Sequence, residues 1–204
     1  MKIATRNIQK MKTNIILTKI FFILTIVIVN AQNPIYPITI ERHNIPDGAY
    51  LKDTNNDLDK FVGTWQYTQG NNEFTVVVQK VIQKFNSKYY EDILVAGFKS
   101  VQNGIVIADY LYFYDDLFGG NLISFNNKNR IYMFISDPER KRLSYRLFID
   151  YTKGGLQSPS QLNWDLKITQ IGWCGALPNK PVPSEEECRK DNRLPLTLTL
   201  TKVN

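Results

Sequence analysis

Of 204 residues, 25 are Lys or Arg and 19 are Asp or Glu, a net charge of +6, and the chain holds one histidine and two cysteines. Zinc chemistry wants clustered His and Cys, and Ser–His–acid or Cys–His catalysis wants a histidine inside a fold. This inventory argues against both, since His43 lies in an irregular stretch far from either cysteine.

The chain opens on Lys2, Arg6, Lys10, Lys12 and Lys19 with no acid, then a run over 20–29 that is apolar apart from Thr25, then Val29-Asn30-Ala31. A charged front, an apolar middle of about 7–15 residues and an A-x-A-like exit mark a secretory signal peptide. Cleavage is expected after Ala31, leaving a periplasmic or secreted protein. A membrane helix would need about 20 apolar residues, and Lys19 blocks extension towards Ile15 and Ile16. No cysteine near the exit could carry a lipid. Met11 would serve as a start equally well, because Lys12 and Lys19 keep the front charged. Without residues 1–31 the balance is 20 basic against 19 acidic residues. The basic excess thus belongs to the leader, and a nucleic-acid partner is not expected.

Residues 32–56, rich in Pro, Asn and Asp, read as an irregular N-terminal arm. Its strand-like piece, 35–40, contains Pro37 and suits only a sheet edge. A short helical turn is expected over 56–61. From Gly63 the pattern is strand and turn: strands over 64–68, 73–82, 91–101, 105–114, 122–125, 130–136, 143–151, 162–171 and 194–202. Asn103-Gly104 is the strongest hairpin signal among them. Gln69-Gly70-Asn71-Asn72 and Asn126-Asn127-Lys128-Asn129 are further turns. Leu162, Trp164, Leu166 and Ile168 alternate with Asn163, Asp165, Lys167 and Thr169, and Leu196, Leu198 and Leu200 alternate with threonines. Period two means one face buried and one wet. Regular short strands point to an all-β fold, an antiparallel barrel of about eight strands over 57–204. Cys174 and Cys188 bracket a Pro- and Gly-rich loop and are expected to form a disulfide in an oxidising compartment.

Asp57-Leu58-Asp59-Lys60-Phe61-Val62-Gly63-Thr64-Trp65, a turn running into Gly-x-Trp at the first barrel strand, resembles the lipocalin–calycin signature. Ile149-Asp150-Tyr151 is similar to the Thr-Asp-Tyr that lipocalins carry at a strand end. The resemblance implies that Trp65 closes one end of the barrel and that Gly63 lets the chain enter beneath it. Lipocalins pack a last-strand Arg over that Trp; here the last strand offers Lys202. Asp47-Gly48-Ala49-Tyr50-Leu51-Lys52-Asp53, then Asn56-Asp57-Leu58, then Val62-Gly63-Thr64-Trp65 resembles a family of small secreted bacterial proteins known only as a domain of unknown function. That likeness covers 45–68 well and the rest loosely. It implies export and a β fold and carries no activity.

The strand over 105–114 is apolar on both faces, with Tyr110, Tyr112 and Tyr114 on one side and Leu111 and Phe113 on the other. Such a strand is buried twice or lines a pocket. Asp115-Asp116 and Glu185-Glu186-Glu187 are adjacent acids that suit solvated turns, and a carboxylate enzyme is the least favoured reading. Asp53, Asp57 and Asp59 lack the central Gly and closing Glu of a calcium loop, so no metal is expected. The reading that remains is non-catalytic and free of cofactors. It is capture of a small apolar ligand, with Tyr112, Tyr145 and Trp164 as lining. The alternative is a protein-interaction module, an inhibitor or adhesion accessory, that uses the 174–188 loop.

Overall fold

The computed structural model describes residues 33–111, 118–124, 127–136, 143–171 and 192–203, with the isolated positions 15, 19 and 186. The chain divides into two compact units, 1–34 and 35–204, and the fold below is that of the second. Among the described residues no helix is long and apolar enough to cross a membrane.

Among the described residues the second unit is all-β. Eleven strands form one sheet: β1 (Ile35–Pro37), β2 (Tyr50–Lys52), β3 (Gly63–Gln69), β4 (Asn72–Phe85), β5 (Tyr90–Gln102), β6 (Ile105–Asp109), β7 (Phe118–Ser124), β8 (Asn127–Ser136), β9 (Leu143–Thr152), β10 (Gln161–Ile171) and β11 (Thr197–Val203). A single 3-10 turn, Asp59–Phe61, precedes β3. The strand order is β1-β2-β5-β4-β3-β11-β10-β9-β8-β7, with β6 paired to β5. Pairing is antiparallel except for β1 with β2 and β2 with β5.

Alternating apolar residues curl this sheet around one core. Trp65, Phe74, Val76, Leu94, Phe98, Ile131, Met133, Tyr145, Leu147, Leu162, Trp164 and Leu200 are all buried in a single cluster. Of the two stretches that alternate in sequence, β10 buries Leu162, Trp164 and Leu166, while β11 buries Leu200 and leaves Leu196, just before the strand, exposed. The hairpin turn at Asn103-Gly104 has φ of +51° and +78°, the two positive values that a tight two-residue β-hairpin turn requires.

The expected closed barrel is not made by hydrogen bonding. The run from β5 to β7 holds eight strands, and its two ends come within 8 Å of each other between Cα atoms, yet no ladder joins them. The reason lies in β5. Its outer edge is taken at one end by β2, opposite Tyr90 and Glu91, and at the other by β6, opposite Lys99 to Gln102. The strand expected over 105–114 also ends early, at Asp109. Beyond it the Tyr110 N–H still bonds the Phe98 carbonyl at 2.7 Å. The chain then lies against Gly97, where a Cβ would sit 2.4 Å from the Leu111 carbonyl oxygen. Residues 127–129, read as a turn, instead begin β8.

The arm is more ordered than its composition suggests. Pro37 sits on the outermost strand, where its missing N–H costs no ladder bond. Ile45, Ala49 and Leu51 form a small second core with Tyr36, Ile40 and Tyr89. A buried polar cluster ties the arm to the sheet. Asp53 accepts the N–H groups of Asp57 and Leu58 at 2.8 and 3.0 Å. Lys80 on β4 bonds Asp53 at 2.8 Å and Asp59 at 2.7 Å. Asp92 on β5 accepts the Tyr50 hydroxyl at 2.6 Å and the Asp53 N–H at 2.9 Å. The aspartates that faintly resembled a calcium loop thus cap a turn and pair with lysine, since Asp57 also meets Lys128 at 3.1 Å. Among the described residues no group of three or more acidic, His or Cys side chains could hold a metal.

Candidate functional site

β3 connects two unlike ends of the core. At its start the floor is sealed. Gly63 enters at φ +132°, and Trp65, two residues on, is fully buried. The Trp65 indole N–H donates to the Phe61 carbonyl at 2.8 Å, which fixes the 3-10 turn beneath the sheet. Tyr151 meets the indole edge-to-face at 6.3 Å. Lys202, paired across from Trp65 in β11, places its ammonium 5.2 Å from the ring centroid. That is cation–π distance. The last-strand lysine therefore packs over Trp65. Gly63 leaves it room, because a Cβ there would lie 2.9 Å from Lys202 Cε.

The opposite end of β3 opens into a cleft of about 330 Å³. Its apolar walls are Tyr67, Phe74, Val101, Leu194, Pro195 and Leu198, and its polar margin includes Glu73, Ser100 and Asn103. Two hairpin tips meet there. The Asn103 N–H bonds Asn72 Oδ1 at 2.8 Å, and the Gly104 N–H bonds the Asn71 carbonyl at 2.8 Å. Phe74 forms the base, edge-to-face against Trp164 at 5.2 Å and tilted against Phe98 at 5.9 Å.

Residues 192–196 strap one side of the cleft, and here the residues expected from sequence reappear in another role. Trp164 and Tyr145 are buried in the core and do not line the cleft. The Trp164 indole N–H donates to the Pro195 carbonyl at 2.8 Å. The Tyr145 hydroxyl donates to Asn192 Oδ1 at 3.1 Å. Asn192 in turn bonds the Leu194 carbonyl and N–H at 2.7 and 3.1 Å. Arg193 donates to the Ile107 carbonyl and the Tyr110 hydroxyl, both at 3.3 Å. The two aromatics hold the strap that supplies Leu194 and Pro195 to the wall. Tyr112, both cysteines, the loop between them apart from Glu186, and Asp115 and Asp116 lie outside the described residues.

The residues missed in sequence, Tyr67, Phe74 and Leu194, share one signal. Each is an inward-facing aromatic or aliphatic residue near the end of its strand or in the strap, where it borders the rim as well as the core. The polar cluster of the arm is no candidate of this kind, because its carboxylates are taken up by Lys80, Tyr50 and backbone N–H groups.

A family model described as a family of unknown function, DUF6705, matches residues 11–203. The chain belongs to the DUF6705 family. No curated protein and no solved structure shows detectable similarity. In this DUF6705 chain the match spans both the sealed floor and the cleft, together with the arm that sequence likeness singled out.

Proposed function

We propose that this protein is an exported, non-catalytic binding protein that takes a small apolar molecule in the rim cleft. On this reading the leader is removed after Ala31, Cys174 and Cys188 are bonded, and the eight strands from β5 to β7 act as a calycin-like barrel. The observation that carries the proposal is the cleft: about 330 Å³ with an aromatic and aliphatic wall. Ligand sites run from about 300 to 1,000 Å³ and combine apolar walls with a few polar groups. The ligand sits at the rim rather than deep inside, because Trp65, Phe98, Tyr145 and Trp164 occupy the core.

Burying about 200 Å² of apolar ligand surface contributes about 5 kcal/mol, against which stands the loss of ligand freedom. Affinity is therefore expected to be no tighter than about 0.2 mM. The test is titration of the purified protein with 1-octanol, followed by calorimetry and by the fluorescence of Trp164 against Phe74. Saturable binding that weakens roughly tenfold in Leu198→Gln, with the circular dichroism unchanged, supports the cleft. Absence of saturable binding, or binding indifferent to Leu198→Gln, overturns it.

A further inference from the structure

The solvent face of β8, β9 and β10 departs from the usual pattern. On the inner face Ile131, Met133, Leu147, Ile149, Trp164 and Leu166 are buried in the core. The residues between them point outward and fall in register. One row is Tyr132, Phe148 and Asp165; the next is Phe134, Arg146 and Lys167; a third is Arg130, Asp150 and Asn163. Alternation calls for polar residues on such a face, yet three of these are aromatic. Tyr132 and Phe148 lie 6.1 Å apart between ring centroids. Arg146 stands 5.5 Å from the Phe134 ring and Lys167 5.4 Å from the Phe148 ring. On the far flank of Phe134 the residue in register on β7 is Gly119, which has no side chain to cover the ring, and Phe134 is 50% exposed. Polar groups border the rings. Arg130 grips Asp150 through two bonds of 2.7 and 2.8 Å. Lys167 lies 3.5 Å from Asp165, and Asn163 Oδ1 accepts the Thr199 hydroxyl at 3.1 Å.

We infer that this outer face binds an uncharged, extended polysaccharide chain. The C–H faces of its sugar rings rest on Phe134, Tyr132 and Phe148, and its hydroxyls bond the Arg130–Asp150 pair and Asn163. Cross-strand ring and ion pairs stabilise a sheet by themselves, but that role gives no reason for a ring left open beside a glycine. The charges choose the occupant. Rings alternate with charged groups, so the face offers no continuous apolar patch of the kind that marks a protein or membrane contact. A single-stranded nucleic acid would also stack on the rings. Its phosphates, however, would meet Asp150 and Asp165, and these acids already offset Arg130 and Lys167. A hydroxyl-bearing chain asks for no net charge. It needs donors and acceptors side by side, and a guanidinium with five N–H groups, two of them on Asp150, keeps donors to give. The three rows span about 10 Å across the strands and about 14 Å along them, a platform for a short run of sugar rings. The face lies on the side of the sheet away from the core, so the inference stands or falls apart from the cleft.

The experiment is native electrophoresis of the full protein through gels cast with hydroxyethylcellulose or alginate, with a fluorescence-polarisation titration of labelled oligothymidylate beside it. Hydroxyethylcellulose should retard the protein, alginate less so, and the oligonucleotide should not saturate. Phe134→Leu keeps the apolar surface but removes the ring, and should weaken the retardation roughly tenfold; Phe134→Trp should preserve it. Asn163→Ala, on the polar border, should weaken it severalfold and supplies a second reading should Phe134→Leu fail to fold. Phe85→Ala removes a ring that is 53% exposed on another strand, β4, and should change nothing. Absence of retardation, or retardation indifferent to both Phe134→Leu and Asn163→Ala, overturns the inference. An equal loss in Phe85→Ala overturns it as well, because exposed rings would then adsorb the polymer without a site. Tighter binding of alginate or oligothymidylate overturns it in favour of a polyanion.

Discussion

Gly63 stands at φ +132°, a conformation that side chains rarely adopt, and its missing Cβ makes room for Lys202 over Trp65. Two costs would follow from an added methyl, backbone strain and a clash, and they separate experimentally. The Lys202 tip is flexible and can move; the backbone cannot change φ without moving Trp65. Gly63→Ala is expected to cost about 1–3 kcal/mol, measured by urea denaturation. Adding Lys202→Ala should not restore the loss, whereas full rescue would mean that the clash dominates. Gly97 is the stricter case, because its neighbours are backbone: the Leu111 and Tyr110 carbonyl oxygens, 2.4 and 2.5 Å from a built Cβ. Neither can swing away as a side chain can. Gly97→Ala should therefore destabilise by about 1–3 kcal/mol or more and detach residues 110–111 from β5. The signature would be lost hydrogen-exchange protection at the Tyr110 amide, which bonds Phe98. Retained protection would show that the crossing is not tight.

At the scale of elements, the arm is latched to β4 and β5 through Lys80 and Asp92. Burial works against the Lys80 charge, but the bonds to Asp53 and Asp59 outweigh it and raise its pKa above the ordinary lysine value. Burial, then the hydrogen bond and charge of Asp92, raise the Tyr50 pKa well above the ordinary tyrosine value. Both groups keep their proton longer folded than unfolded. Their stabilisation is whole below about pH 10, where the unfolded groups begin to lose theirs, and drains away as pH climbs towards the raised folded values. The urea midpoint should fall as pH rises above about 10, and less steeply in Tyr50→Phe; equal slopes would remove Tyr50 from the latch. This latch also marks how far the sequence could be read. Residues 47–53 and 56–58 carry the family likeness, and they hold Tyr50 and Asp53. The partners stand 27 and 39 residues further on, and no local pattern announces a pairing at that range. Strand faces were legible, as β10 illustrates, because burying one face forces alternation. Depth along the core was not. Alternation marks Tyr145 and Trp164 as inward, but only register with neighbouring strands decides whether an inward residue meets the rim or the middle. That is why they hold the strap while Tyr67 and Phe74 line the cleft.

For the whole molecule the open question of mechanics is the seam between β5 and β7. An antiparallel sheet that curls around one core without sealing leaves two edges, and an unpaired edge is where a sheet opens first and where foreign strands add. The arm protects one edge: β2 and β1 cap one end of β5, and Pro37 ends the ladder. Among the described residues β7 pairs β8 on one side only. β10, in contrast, lies between β9 and β11 and buries Trp164. Amides opened by local fraying exchange far faster than those released only by global unfolding. In native-state hydrogen exchange, alternate amides of β7, those facing the seam, should therefore exchange early, while the interior amides of β10 follow global stability and track the urea dependence of unfolding. Matching protection in β7 and β10 would mean that a ladder closes the seam in solution and that the fold is a true barrel. Early exchange in β7 would instead identify the seam as the point of entry for a ninth strand, and Lys or Pro placed on the seam-facing edge of β7 should then suppress aggregation without lowering the urea midpoint.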